Sequence, residues 1–196
     1  MNQEIEIEFK NILKKGEFEK LRTALNMTAN HFKRQINYYF DTEDFSIKGN
    51  HSALRIRFKN GQYQLTLKQP HPEGLLETHQ HLSESEASLM IKTAKLPAGD
   101  VQTLLRRADI PYEDLVFLGQ LTTDRAEIPF MSGELVLDHS FYLDHEDYEL
   151  EFEASDRTDG QEAFDQLLTA HNIPARKTQN KIIRFFNRYK EQINGG

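Results

Sequence analysis

The sequence predicts an α+β protein built on a mainly antiparallel sheet, and three observations carry that expectation. Segments in which apolar and charged side chains strictly alternate recur along the chain, beginning with Glu4-Ile5-Glu6-Ile7-Glu8-Phe9-Lys10. A period of two is the mark of a strand with one greasy and one charged face. These segments follow one another as hairpins and a meander rather than as a βαβ alternation. Stretches of helical period lie between and after them.

The first strand covers residues 4 to 10. From Gly16 to about Ala29, Phe18, Leu21, Leu25 and Met27 form an apolar stripe of helical period. Residues 37 to 42 read as a second strand that ends in a turn, and 53 to 59 as a third. Asn60-Gly61 then closes a hairpin, the strongest short turn signal there is. The return strand, 63 to 68, is expected to stop before Pro70 and Pro72, and a fifth strand covers about 74 to 82. Ser83 with Glu86 forms a capping box that opens a helix to about Ala94, and 98 to 108 predicts another. Strands follow at 117 to 128, 134 to 141 and 148 to 153. The last two helices are expected from about Gln161 to His171 and from about Thr178 to Gln192.

With 38% hydrophobic and 28% charged residues the composition excludes a disordered chain. No apolar run approaches the roughly 18 residues of a membrane-spanning helix, so no membrane role is expected. The absence of cysteine excludes disulfides and thiolate metal sites. The first residues enter the charged strand at once, with no secretory leader, which predicts a cytoplasmic protein. A net charge of −7 argues against a general nucleic-acid binder, so an anionic ligand needs a local basic cluster. No repeat, low-complexity tract or long linker divides the 196 residues, and a single domain over 1–196 is expected. No feature fixes an oligomeric state.

Alternate positions sort the strands into two faces. Ile5, Ile7, Phe9, Leu54, Ile56, Phe58, Tyr63, Leu65, Leu67, Tyr148, Leu150 and Phe152 fall on one. Glu4, Glu6, Glu8, Lys10, Arg55, Arg57, Lys59, Lys68, Glu77, Arg125, Asp138, Glu149, Glu151 and Glu153 fall on the other. Two architectures fit: an open sheet with a solvated charged face, or a barrel whose charged face lines a wet interior while helices cover the outside. In a barrel, charges of both signs would be costly unless paired or bound to a ligand.

The ordered set of charged residues then narrows the choice. Glu6-x-Glu8-x-Lys10, the Tyr-Phe-Asp-Thr segment 39 to 42, Arg55-x-Arg57, Lys68, Glu77, Arg125, Asp138, Glu149-x-Glu151-x-Glu153, Lys177 and Lys181 span nearly the whole chain. In this order they resemble the CYTH superfamily, the triphosphate tunnel metalloenzymes, and in particular its small bacterial stand-alone members. The resemblance implies an antiparallel β-barrel with a charged lumen and helices packed outside, acting on a triphosphate-containing small molecule with Mg²⁺ or Mn²⁺.

It also implies roles. Glu6, Glu8, Lys10, Arg55 and Arg57 become the catalytic candidates, and Glu6, Glu8, Glu149, Glu151 and Glu153 the principal metal ligands. Glu77 and Asp138 join that acidic set. So does Glu4, although at the fraying end of its strand solvation is the plainer expectation. Hard divalent cations take such all-oxygen ligand sets. Lys68, Arg125, Lys177, Lys181 and Arg184 would hold phosphate oxygens, Arg by bidentate forks and Lys as a point charge. The last three would share one side of the final helix if it already includes Lys177. Glu77-x-His79-x-His81 could bind Zn²⁺, but a hydrogen bond to phosphate or a place at the tunnel mouth is the expected role. His139, His145 and His171 are expected at the surface beside turns or helix ends. Phe185, Phe186 and Tyr189 are expected in the core. Hydrolysis of a triphosphate is the leading function, with adenylate cyclase and a non-catalytic polyphosphate- or nucleotide-binding module as alternatives.

Overall fold

The computed structural model describes residues 1–194. Among them are eight strands: β1 (Asn2–Leu13), β2 (Phe32–Thr42), β3 (Ala53–Lys59), β4 (Gln62–His71), β5 (Gly74–Leu82), β6 (Leu115–Phe130), β7 (Gly133–Tyr142) and β8 (His145–Ala154). The helices are α1 (Lys15–Ala24), α2 (Ser46–Gly49), α3 (Glu84–Thr93), α4 (Asp100–Arg107), α5 (Arg157–Ala170) and α6 (Lys181–Asn194). The strands are hydrogen-bonded in the closed order β1-β5-β4-β3-β2-β6-β7-β8, an antiparallel barrel.

The chain packs as two compact units. One holds Met1–Ile5 and Gln35–Leu121, the other Glu6–Arg34 and the residues from Thr122 onward. In the first, Leu54, Ile56, Leu65 and Leu67 of the central strands meet Ala87 and Met90 of α3 and Val101 and Leu105 of α4. Each of these side chains is at most 1% exposed, and full burial of a large aliphatic one contributes about 1.5–3 kcal/mol. In the second, Phe9, Leu135, Leu137, Leu150 and Phe152 pack on Phe18 and Leu21 of α1 and on Phe164, Leu167 and Leu168 of α5. The period-two pattern thus puts its apolar half under the helices.

Local chemistry sets the boundaries. Asn60 and Gly61 both have positive φ, 53° and 78°, as the two-residue hairpin between β3 and β4 requires. The α3 capping box forms as expected: Glu86 Oε2 accepts from the Ser83 N–H at 2.8 Å, and Ser83 Oγ accepts from the Glu86 N–H at 3.3 Å. Helix α5 begins earlier than its apolar pattern does, because Asp156 accepts from the N–H groups of Thr158 and Asp159 at 2.8 and 3.0 Å. Helix α1 stops at Ala24, five residues short of expectation, and Asn26 turns the chain at φ 55°. The expected break before Pro70 does not occur. Strand β4 continues to His71, with the exposed Pro70 opposite Leu75 at the end of the ladder.

The short helix α2 has no periodic signal. The buried Asp41 carboxylate holds it by accepting from the N–H groups of Thr42, Ile47 and Lys48 at 2.8, 2.8 and 3.0 Å. Burial raises the Asp41 pKa even against these hydrogen bonds. Gly133 opens β7 where a Cβ would come within 2.2 Å of the Glu153 carbonyl oxygen, so this close strand approach needs glycine. Phe185 and Phe186 are buried in α6 as expected, and Tyr189 stacks on Phe185 at 6.3 Å. His139 is not at a turn: it lies within β7, stacked on Tyr148 at 4.3 Å.

Candidate functional site

Each unit gathers a charged cluster on the strand face away from its apolar core, opposite α3 and α4 in the first and opposite α1 and α5 in the second, where α6 joins the cluster. In the first unit the registers set Asn37, Arg57, Gln64 and His81 in one cross-strand row and Tyr39, Arg55, Thr66 and His79 in the next. Lys68 stands directly opposite Glu77. Arg57 Nε donates to Asn37 Oδ1 at 3.1 Å, which aims the guanidinium along the face. Glu77, only 3% exposed, is the acid that balances this basic group: Lys68 Nζ pairs with it, and Arg55 Nη2 lies 3.7 Å from its Oε2. His79 Nε2 is 2.9 Å from Glu4 Oε1, so the two meet although Glu4 is exposed.

The second unit holds the acids. In the ladders, Glu8 faces Glu153, Lys10 faces Glu151, and Asp138 faces Glu149. Arg125 of β6 donates bidentately to Asp138 at 2.8 and 2.7 Å, and its Nη2 also reaches Glu151 at 2.5 Å. Lys181, in the first turn of α6, lies 2.7 Å from Asp138, 3.2 Å from Glu149 and 2.5 Å from Glu151. One turn on, Arg184 pairs with Glu149 and is gripped by Asp147 at 2.8 and 3.3 Å, while Tyr142 Oη donates to Asp147 at 2.7 Å. Lys10 Nζ pairs with Glu8.

Burial and charge pull against each other throughout this cluster. Burial disfavours the charge on Glu151, yet Lys181, Arg125 and Lys10 outweigh it and hold its pKa well below the usual carboxylate range. Asp138 is lowered in the same way, its desolvation overcome by Arg125 and Lys181. Glu149 goes the other way. Burial, with Glu151 nearby, pushes it up to about 7 despite Lys181 and Arg184. Glu153 is raised by burial as well. On the basic side, Asp138 and the neighbouring glutamates overcome the desolvation of Arg125 and Lys181 and raise both pKa values.

Of the residues singled out in the sequence, Glu4, Arg55, Arg57, Lys68 and Glu77 come together in the first unit. Lys10, Arg125, Asp138, Glu149, Glu151, Glu153, Lys181 and Arg184 do so in the second, with Glu6 and Glu8 half-buried on β1. Lys177 does not join them. Helix α6 starts at Lys181, so the expected i, i+4, i+7 side is not formed, and Lys177 is exposed in the preceding segment. That segment is tied to β1: Asn11 Oδ1 accepts from the Arg176 N–H at 2.6 Å, and Thr178 Oγ1 accepts from the Ile12 N–H at 2.7 Å. Asp147, Tyr142 and Asn37 were missed. Asp147 was within reach of the pattern, since it extends the alternation Glu149-x-Glu151-x-Glu153 by one step, whereas Tyr142 and Asn37 carry no charge to flag them.

Comparison with known proteins gives the family and the fold. The CYTH domain model matches residues 4–186. The Bacillus subtilis (strain 168) protein named "Putative triphosphatase YjbK" is 49% identical over 193 residues, covering 98% of this chain and 100% of that protein. A Bacillus halodurans crystal structure described as "a putative adenylate cyclase" is 47% identical with a TM-score of 0.92, covering 95% of this chain and all of that one. A Hippeastrum protein, described as a "putative adenylyl cyclase" that reveals a dominant triphosphatase activity, shares the fold at 23% identity and a TM-score of 0.73, over 93% and 96% of the two chains. Among the described residues no helix is long and apolar enough to cross a membrane. With the family model spanning nearly the whole chain and a relative 49% identical over 98% of it, the chain belongs to the CYTH family.

Proposed function

We propose that this protein hydrolyses a triphosphate, inorganic tripolyphosphate or a nucleoside or thiamine triphosphate, bound along the charged face of the barrel strands. The observation that carries this reading is the density of cations and carboxylates on that face. Arg55, Arg57 and Lys68 offer donors for non-bridging oxygens in one unit, and Lys10, Arg125, Lys181 and Arg184 do so in the other. In both units these cations are held by acids, so an incoming polyanion exchanges one set of oxygen partners for another. The name of the Bacillus subtilis relative supports the same activity. The family model spans residues from both units, which supports reading residues 1–196 as one domain.

The residues also fit a hard divalent ion. Glu149 Oε1 is buried without a hydrogen-bond partner among the described residues, and Glu6, Glu8, Glu149, Glu151 and Glu153 make an all-oxygen donor set. These five would hold Mg²⁺ or Mn²⁺, which when bound supplies charge neutralisation and a more acidic water. The chain's own part is positional and electrostatic. Arg125 and Lys181 sit where acids already fix them, so charge developing on a phosphoryl group meets donors that need little reorganisation. Asp147 and Tyr142 orient Arg184 in the same way.

The test is release of orthophosphate from tripolyphosphate by purified protein with Mg²⁺ or Mn²⁺. Glu6→Ala or Glu8→Ala is expected to abolish it, and activity that survives both changes would remove the first strand from the metal set. A cyclase reading is favoured by the description of the Bacillus halodurans relative. Product analysis with ATP separates the two, since cyclic AMP and pyrophosphate form in one case, ADP and orthophosphate in the other.

A further inference from the structure

We infer that His79, Glu4 and Glu77 form a binding site for a borderline transition-metal ion such as Zn²⁺ or Co²⁺, a site chemically unlike the all-oxygen set proposed above. One ligand atom from each of the three lies within 4.8 Å of the other two. His79 Nε2 is 2.9 Å from Glu4 Oε1 and 3.6 Å from Glu77 Oε2. Its other ring nitrogen, Nδ1, is 3.1 Å from Oγ1 of Thr66, which is wholly buried. A hydrogen bond from the far ring nitrogen is how proteins fix the tautomer and orientation of a metal-binding imidazole. A ring that gives its Nδ1 proton to Thr66 points the Nε2 lone pair at two carboxylate oxygens, and a cation between them stabilises that arrangement.

The strands make this constellation rigid and open. Glu77 and His79 are two residues apart on one face of β5, and β1, which carries Glu4, is hydrogen-bonded beside it. Glu77 divides its two oxygens: Oε1 faces Lys68, while Oε2 faces His79, with Arg55 at 3.7 Å. Lys68 and Arg55 offset the charge of Glu77, and Glu4 adds a second carboxylate beside the imidazole. Exposure of Glu4 leaves an entry path and positions for water. One nitrogen and two carboxylate oxygens suit Zn²⁺, Co²⁺ or Ni²⁺, whereas Mg²⁺ prefers oxygen alone. His81, the other histidine of the strand pattern, is exposed and outside this group.

The experiment is a Co²⁺ titration of the full chain in excess Mg²⁺ and without phosphate, followed by visible absorption, by Zn²⁺ competition and by NMR of the histidine rings. One Co²⁺ that Zn²⁺ displaces and Mg²⁺ does not is expected, with the His79 ring signals perturbed. His79→Gln should remove it. Glu4→Gln, at an exposed strand end where folding is not at risk, should weaken it about tenfold, and Thr66→Val about 10–100-fold, the usual cost of losing such an outer partner. His81→Gln should bind as the parent does. Absence of a Mg²⁺-resistant Co²⁺ site, retention of it in His79→Gln, or unchanged His79 ring signals on loading would each overturn the proposal; the last would mean that a proton alone sits between the three groups. The readout is binding, so its failure would leave the triphosphatase reading standing.

Discussion

The two units solve the same electrostatic problem with opposite stocks of charge. In Met1–Ile5 with Gln35–Leu121, Lys68 and Arg55 gather around the buried carboxylate of Glu77, Arg57 is held by Asn37, and Glu4 meets His79 from an exposed strand end. In the other unit Asp138, Glu149, Glu151, Glu153, Glu6, Glu8 and Asp147 outnumber Lys10, Arg125, Lys181 and Arg184, and Asp138 and Glu149 are fully buried. The difference teaches that the first cluster neutralises one buried acid with an excess of cations, whereas in the second a surplus of buried acids is held together by a smaller set of lysines and arginines.

Breaking the acid-rich lock should have the largest effect. Glu151→Gln leaves Arg125 and Lys181 buried with a missing countercharge, and a loss of about 3–5 kcal/mol is expected in urea unfolding. Lys68→Met in the basic cluster should cost clearly less, because Arg55 still stands near Glu77. Equal losses from the two changes would dissolve the contrast. Next comes binding. Arg57→Ala removes a charge-assisted donor and should weaken tripolyphosphate affinity by about tenfold to a hundredfold in metal-free calorimetry. Glu149→Gln should instead alter the dependence on Mg²⁺ concentration.

A pH series sharpens the contrast further. Glu149 titrates near 7 when folded and near the ordinary 4.5 when unfolded. Below about 4.5 it is protonated in both states and contributes no pH dependence. Between 4.5 and 7 the unfolded chain gives up the proton while the folded chain keeps it, so this group lowers stability as pH rises through that window, and the loss levels off above it. Glu149→Gln should flatten that part of the stability profile, measured by urea unfolding from pH 5 to 8. The smallest effect lies outside both clusters. Ser83→Ala removes the α3 cap and should cost about 1 kcal/mol with no change in metal dependence.

Much of this arrangement was legible because strand alternation is strict. Arg55, Arg57, Glu149 and Glu151 were assigned a face correctly from parity alone, and the order of charges carried the family. What escaped depends on long-range partners. Asn11 puts a polar amide at an apolar position of the alternation, opposite Leu150, because it bonds to Pro174 and Arg176 far along the chain. Helix α2 rests on one carboxylate, that of Asp41, which no periodicity announces. Lys177 was misplaced because the basic period continues back past Lys181, while the backbone there is already committed to β1.

That last attachment bears on the order of events in biosynthesis. Asn11 and Ile12 find their partners 163 to 166 residues further on, in the stretch that delivers Lys181 and Arg184 to the acids. Contacts of such high sequence separation form slowly and only after the distant segment exists. The basic cluster draws mainly on a continuous stretch, Gln35–Leu121, and can assemble while the ribosome is still at work. The acidic cluster must wait for the end of translation. Until then Glu149 and Glu151 lack Lys181 and Arg184, two of the cations that offset the cost of burying them.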